Sequence, residues 1–276
     1  MWRGLAAVVL ALFAAFIFCT APSRRGRRLA LPSLYAHRGL HGNGVAENTL
    51  VAFERACRAG VGIEMDVRLS ADGEVVVFHD DTLARLCGRN ERVDALTLAQ
   101  LRALSLPGGG RIPTLAEALA AIDGRAPLLV EIKSGANLAR LCARTLEQMR
   151  GYAGVWAVES FHPLAVRYFR RHAASVPRGQ LVSLPDEYLG AVARAGAWAL
   201  SHLLTNFLSR PDFIAYDLRM ATGCAVRAQR RLYRARLAAW TVRDRVRLRE
   251  ALARGESVIF ECDRGKAPIT QEDLRF

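Results

Sequence analysis

Val61-Gly-Ile-Glu-Met-Asp-Val67 is the stretch on which the reading of this 276-residue chain turns. Apolar Val61, Ile63, Met65 and Val67 alternate with Gly62, Glu64 and Asp66. Successive side chains of a strand point to opposite faces, so the pattern predicts a strand with Glu64 and Asp66 on one face. Two carboxylates pointing inward together repel each other unless a cation neutralises them. A divalent metal is the simplest such cation.

Working outward, the same design recurs. Leu34–Ala36 reads as a strand that runs into His37 and Arg38, and Val75-Val-Val-Phe78 runs into His79 and Asp80. Leu128–Ile132 carries Glu131, with Lys133 two residues on and facing the same way. Further strand-like runs lie at 155–158, 180–183, 213–216, 238–242 and 258–260. Between them stand helix-like segments. Residues 48–59 place Leu50, Phe53 and Cys57 on one face and stop at Gly60. Thr114-Leu-Ala-Glu117 is a capping box that opens a helix reaching about Ile122. Segments 137–150, 163–172 and 243–254 complete the set.

Alternation of this kind predicts an α/β fold with a mostly parallel sheet, and the length suits a single (β/α)8 TIM-type barrel. A doubly wound sheet would need a glycine-rich phosphate turn after the first strand. Gly39-Leu-His-Gly-Asn-Gly44 lacks the G-x-G-x-x-G spacing. One irregularity stands out. Only Val67–Glu74 separates Asp66 from Val75, too few residues for a parallel crossover. The Asp72-Gly73 turn inside it predicts either a hairpin-like excursion or an irregular barrel.

Composition narrows the function. The net charge is +13, carried almost wholly by arginine, since Lys133 and Lys266 are the only lysines. No finger, helix-turn-helix or aromatic platform accompanies the charge, so a nucleic-acid partner is not expected. Six scattered cysteines without a CxxC pair argue against zinc and against a disulfide framework, which favours a reducing compartment. Leu5 to Cys19 is an unbroken apolar run followed by Arg24-Arg-Gly-Arg-Arg28. This predicts a transmembrane anchor over 1–22 and a basic linker over 23–33, followed by the barrel over 34–276. More arginines follow the run than precede it, which predicts a single-pass membrane protein with a cytoplasmic catalytic domain. A signal peptide on a secreted or periplasmic protein is the rival reading.

Parallel barrels build their sites at the C-terminal ends of strands. Read this way, Glu64, Asp66 and Glu131 supply oxygen ligands for a hard divalent cation. Arg38 and Lys133 suit a phosphate, and His37 and His79 suit general acid and base work near neutral pH. Any one of these residues alone is commonly a surface or structural feature. Their joint arrival at successive strand ends points to metal-assisted attack on a phosphodiester.

The motifs His37-Arg-Gly39, Glu47-Asn-Thr49 with Ala52-Phe53, Glu64-Met-Asp66, Asp72-Gly73, His79-Asp80, Ile112-Pro-Thr-Leu115 and Glu131-Ile-Lys133 occur in this order. Together they resemble the glycerophosphodiester phosphodiesterase family, TIM-barrel enzymes related to phosphatidylinositol-specific phospholipases C. Ser160-Phe161 and Trp240-Thr-Val242 resemble later family landmarks. The resemblance implies hydrolysis of glycerophosphodiesters to an alcohol and glycerol 3-phosphate in lipid metabolism. It implies His37 and His79 as the acid/base pair, Glu64, Asp66 and Glu131 on Ca²⁺ or Mg²⁺, and Arg38 and Lys133 on the phosphate. Glu47 would order the loop after His37. Lysophospholipase D or phospholipase-type cleavage and a non-catalytic headgroup-binding barrel are the alternatives. The chain departs from the family pattern at Ala46, where proline is usual, and at Arg243, where asparagine is common. It also departs at Phe260-Glu-Cys-Asp263, where the family's last strand usually ends in Thr-Asp.

Overall fold

A computed structural model describes residues 2–261. Helix α1 (Trp2–Thr20) leads into β1 (Leu34–Ala36) and α2 (Leu50–Arg58). Then come β2 (Gly62–Leu69), β3 (Val75–Val77) and the short helices α3 (Ala84–Cys87) and α4 (Leu98–Arg102). Next are α5 (Leu115–Ile122), β4 (Leu128–Ile132), α6 (Leu138–Met149), β5 (Trp156–Ser160), α7 (Pro163–His172) and β6 (Arg178–Val182). The chain continues through α8 (Arg194–Ser201), α9 (Asn206–Ser209), β7 (Phe213–Asp217), α10 (Cys224–Arg231), β8 (Arg236–Val242), α11 (Arg245–Ala253) and β9 (Ser257–Phe260).

All strands but β3 pair in parallel, and β1 bonds to both β2 and β9, so the sheet closes on itself. This is the expected eight-stranded TIM-type barrel. Alternation sorts the side chains. Ile63, Met65 and Val67 of β2 face outward into the main apolar core beneath the helices. Tyr35, Leu129, Ala157, Leu181, Phe213 and Ile259 fill the barrel axis. This apolar plug seals the lower barrel and leaves the polar residues above it at the C-terminal mouth.

The irregularity after Asp66 resolves as a hairpin. β3 runs antiparallel to β2, pairing Val67 with Val77 and Leu69 with Val75. Residues 78–114 then build a lobe around Phe78, Leu83, Leu101 and Ile112. His79 therefore does not end a parallel barrel strand. The hairpin carries the chain above the rim and back down, and the Phe78 N–H donates to Asp66 O at 3.0 Å. The return delivers His79 to the level of the carboxylates.

The expected transmembrane anchor is corrected. Among the described residues, no helix is long and apolar enough to cross a membrane. The single-pass membrane localisation and the membrane partnership through this helix fall with it. The reason lies in where α1 ends. Its last turn is committed to the barrel: Phe18 meets Phe207 at 6.0 Å between ring centroids, and Arg210 stacks over Phe18. Thr20 is buried, shares a 2.7 Å hydrogen bond with Tyr233, and its carbonyl accepts from Asn206 and Gln229. A 19-residue helix rises only about 28 Å in all, and a docked last turn shortens the free apolar length further. The basic stretch that follows forms a tight turn, Arg24–Arg28, whose Arg27 donates to Tyr233 O at 2.9 Å. Leu29 and Leu31 then pack against the plug from below.

Candidate active site

Three strand ends and one hairpin converge at the mouth. The register sets Asp66 beside Glu131, and Glu131 beside Glu159, on β2, β4 and β5. Glu64 lies one inward step below Asp66. Oxygens of Glu64, Asp66 and Glu131 lie within 4.8 Å of one another, and all three residues are buried. Lys133 neutralises two of them, at 2.8 Å from Glu131 and 3.2 Å from Asp66.

The loop after β1 is shaped to serve these groups. Arg38, Gly39 and Asn48 all take positive φ. At Gly39 a Cβ would come 2.9 Å from both Ala52 and Phe53, so glycine is required for close packing on α2 as well as for its φ of 78°. This geometry aims the Arg38 N–H at Glu64, at 2.8 Å, and its guanidinium at Glu47, at 2.7 Å. Asn48 donates to Asp66 at 2.8 Å. Glu47 lies in the loop after β1, against the side chain of Arg38.

His79 is held from two sides. Its Nδ1 lies 2.6 Å from Asp80, and its carbonyl accepts two hydrogen bonds from Arg68. Arg85 bridges Asp80 and Glu47, so one chain of ion pairs runs from His79 to Arg38. His37 is mostly enclosed, and among the described residues its Nδ1 has no hydrogen-bond partner, with Glu261 at 3.9 Å. Glu261 pairs with Arg243 at 2.7 Å and approaches His41 at 3.3 Å. Two departures from the family pattern, Arg243 and Glu261, are therefore partners of each other. Cys262 and Asp263 of the same motif lie outside the described residues.

Charge at the site follows from burial and neighbours. Burial resists ionisation of Asp66, but Lys133, His79 and Arg38 outweigh it and hold the carboxylate well below its usual range. Glu64 is pushed well above that range by burial and by the Asp66 and Glu131 charges. Glu131 is raised mainly by burial, against the pull of Lys133. Burial also resists ionisation of Asp80, yet hydrogen bonds from His79 and Arg85 keep it well below the ordinary value. Burial, reinforced by Arg38, holds the His37 imidazole down at about 3.

His37 gives a measurable pH effect. In the unfolded chain its pKa returns to about 6.5. Between about 6.5 and about 3 the unfolded state binds the extra proton, so stability falls as pH drops through this window. In chelator-treated protein, His37→Asn should remove about 1–2 kcal/mol of the stability lost between pH 7.5 and pH 5. Thermal melts would show that as a decline smaller by about 2–6 °C. Equal declines in the two proteins would contradict the burial of a neutral ring.

The structure brings together all eight residues singled out from the sequence. It adds Asn48, Arg85 and Glu159. Asn48 was visible inside the Glu47-Asn-Thr49 motif but carried no role. Arg85 lies on a four-residue helix in a lobe with no periodic signal. Glu159 is 2% exposed, and among the described residues its Oε2 has no hydrogen-bond partner. Burial pushes its carboxyl well above the ordinary range, and the nearby Glu131 and Asp66 charges add to the shift.

These residues fit a divalent cation. Three carboxylates are an oxygen-only donor set of the kind hard ions take, and of the cluster's oxygens Asp66 Oδ1 is buried with only the Lys133 ion pair at 3.2 Å beside it.

The glycerophosphoryl diester phosphodiesterase family model matches residues 37–261. The chain belongs to that family. The glycerophosphodiester phosphodiesterase of Caldanaerobacter subterraneus subsp. tengcongensis is 42% identical over 109 residues, which are 36% of this chain and 44% of the relative. That of Bacillus altitudinis is 28% identical over 183 residues, covering 60% of this chain and 74% of the relative. The chain thus spans less than half of the first relative and about three quarters of the second. Among solved structures, a phosphodiesterase of Oleispira antarctica in complex with the product sn-glycerol-3-phosphate superposes with a TM-score of 0.66 at 24% identity. The overlap covers 84% of this chain and 93% of that one. The glycerophosphodiester phosphodiesterase of Thermotoga maritima gives 0.65 at 25% identity, over 84% and 95% of the two chains. This family member shares their barrel.

Proposed function

We propose that the chain is a divalent-metal-dependent glycerophosphodiester phosphodiesterase that releases an alcohol and glycerol 3-phosphate. The observation that carries the reading is one cavity of about 200 Å³ lined by His37, His79, Arg38, Glu64 and Glu131, with Asp66 in the same carboxylate cluster and Lys133 paired to it. Family membership and the product named for the Oleispira antarctica protein support it.

Arg38 and Lys133 would receive the phosphate, Arg38 through its planar fork and Lys133 as a point charge. Glu64, Asp66 and Glu131 would hold Ca²⁺ or Mg²⁺. When bound, the ion would offset negative charge on the phosphoryl oxygens and on the attacking oxygen. With its Nδ1–H retained and donating to Asp80, His79 would present Nε2 as a proton acceptor, and Asp80 would stabilise the imidazolium that results. His37 would then protonate the departing alcohol. The phosphodiester's negative charge favours the proton that burial otherwise denies this ring. Glu47 and Arg85 would keep Arg38 and Asp80 in place.

The test is product identity. Incubated with glycerophosphocholine and a divalent ion, the full chain should give glycerol 3-phosphate and choline, read by phosphorus NMR. Free phosphocholine, or an unchanged diester under every metal condition, would defeat the assignment.

A further inference from the structure

The four buried carboxylates at the mouth divide into a cluster of three and one outsider. Oxygens of Glu64, Asp66 and Glu131 group together, while Glu159 stands apart on the next strand. Glu159 is 2% exposed, and among the described residues its Oε2 has no hydrogen-bond partner. Leaving a buried polar oxygen unsatisfied costs about 1–3 kcal/mol. Such a cost is understandable where a ligand repays it.

Its position says what kind of ligand. Glu159 lines the same cavity of about 200 Å³ as His37, His79 and Arg38. The carboxylate cluster, both imidazoles and Arg38 lie to one side of it, on β2, β4, the loop after β1 and the hairpin. To the other side the wall is mostly apolar, formed by Phe161, Leu181, Trp240 and Ile259, with Thr241 and Arg243 where it meets the adjoining groove. Phe161 and Trp240 are locked edge to face at 5.6 Å. A carboxyl at the border of an apolar wall, beside a phosphate-matched site, suits a short carbon chain bearing a hydroxyl. Whether ionised or protonated, it keeps an acceptor oxygen for that O–H.

The size and exits of the cavity choose between the two arms of the substrate. A space of about 200 Å³ holds a small polyol phosphate and little more. Trp240, Thr241 and Arg243 line both this cavity and an adjoining open groove of about 540 Å³. With phosphate on Arg38 and Lys133, the departing alcohol, which varies in bulk, has its way out over Trp240 into the groove. The glycerol arm stays inside.

We propose that Glu159 accepts a hydrogen bond from the distal hydroxyl of the substrate's glycerol arm and thereby selects glycerol diesters over diesters of simpler alcohols. This rests on the glycerophosphodiesterase reading above. It predicts that the enzyme tells glycerophosphocholine from 2-hydroxypropyl phosphocholine, which keeps the hydroxyl beside the ester carbon and lacks the distal one.

The experiment compares kcat/KM for these two diesters in wild type, Glu159→Met and Glu159→Gln, all as the full chain with saturating divalent ion. Wild type should prefer the glycerol diester by about 30-fold, the range a satisfied buried partner gives. Glu159→Met, similar in length and without oxygen, should reduce that preference to within about threefold. Glu159→Gln retains a carbonyl acceptor and should restore most of it. Calorimetric binding gives a readout free of turnover. Glu159→Met should weaken glycerol 3-phosphate by about tenfold and leave inorganic phosphate unchanged. An unchanged preference in Glu159→Met would overturn the proposal. So would equal weakening of glycerol 3-phosphate and inorganic phosphate, or a loss confined to glycerophosphoethanolamine, which would place Glu159 on the amine of the leaving group. If wild type hydrolyses neither diester, the underlying phosphodiesterase reading fails instead.

Discussion

His79→Ala should lower kcat for glycerophosphocholine by about 10³-fold while KM stays within about threefold. The split follows from where His79 sits. The phosphate-matched cations are Arg38 and Lys133, and neither depends on the His79 ring for its partners. Ground-state binding therefore survives the change. What is lost is a proton acceptor whose Nδ1 is fixed by Asp80 at 2.6 Å and whose backbone is pinned by Arg68. Steady-state kinetics across pH 5.5–9 would test this. A rise in KM with kcat unchanged would reassign His79 to binding.

The second large effect is on stability. Lys133 is nine-tenths buried and faces two carboxylates, Asp66 and Glu131. Lys133→Met leaves both without their main neutralising charge. Breaking a buried pair in this way costs about 3–5 kcal/mol, which for a domain of this size lowers Tm by roughly 6–15 °C. A divalent cation at the same carboxylates would replace part of the missing charge. Millimolar Ca²⁺ or Mg²⁺ should therefore raise the Tm of Lys133→Met more than that of wild type. Activity should remain low even so, because the phosphate contact proposed for Lys133 is gone. A metal-independent Tm in the variant would count against the cluster as a cation site.

Much of this molecule is legible in β2. The alternation at Val61–Val67 predicts both the outward core residues and the inward Glu64 and Asp66, because a strand's period of two leaves no other arrangement. The shortness of the link to Val75 signals the hairpin. It does not show that an antiparallel return is what brings His79 down to Asp66, since that depends on register. Glu159 escaped for a similar reason. Reading the strand over 155–158 stops one residue short of it, whereas β5 runs on to Ser160. Counted as a strand end, Glu159 would have joined Glu131 by the same logic. Arg85 gives no such opening, since its role comes from the path of a lobe with little regular structure. The N-terminal run shows the limit of hydropathy. Apolar content alone cannot tell a free span from a helix whose last turn is bonded to Tyr233, Asn206 and Gln229.

The pairing of Arg243 with Glu261 is a further lesson of the three-dimensional view. In the sequence they are two unrelated departures from the family pattern, 18 residues apart. In the structure they form one ion pair beside His37 and His41.

The central claim is that Glu64, Asp66 and Glu131 hold the ion on which hydrolysis depends. The most direct measurement is glycerol 3-phosphate release from glycerophosphocholine by the full chain, before and after chelation and with Ca²⁺ or Mg²⁺ restored, in wild type and Glu64→Gln. Wild type should lose activity on chelation and recover it on add-back, and Glu64→Gln should stay at least about 100-fold below wild type at every metal concentration. Turnover that persists undiminished through chelation, or in Glu64→Gln, would contradict the account.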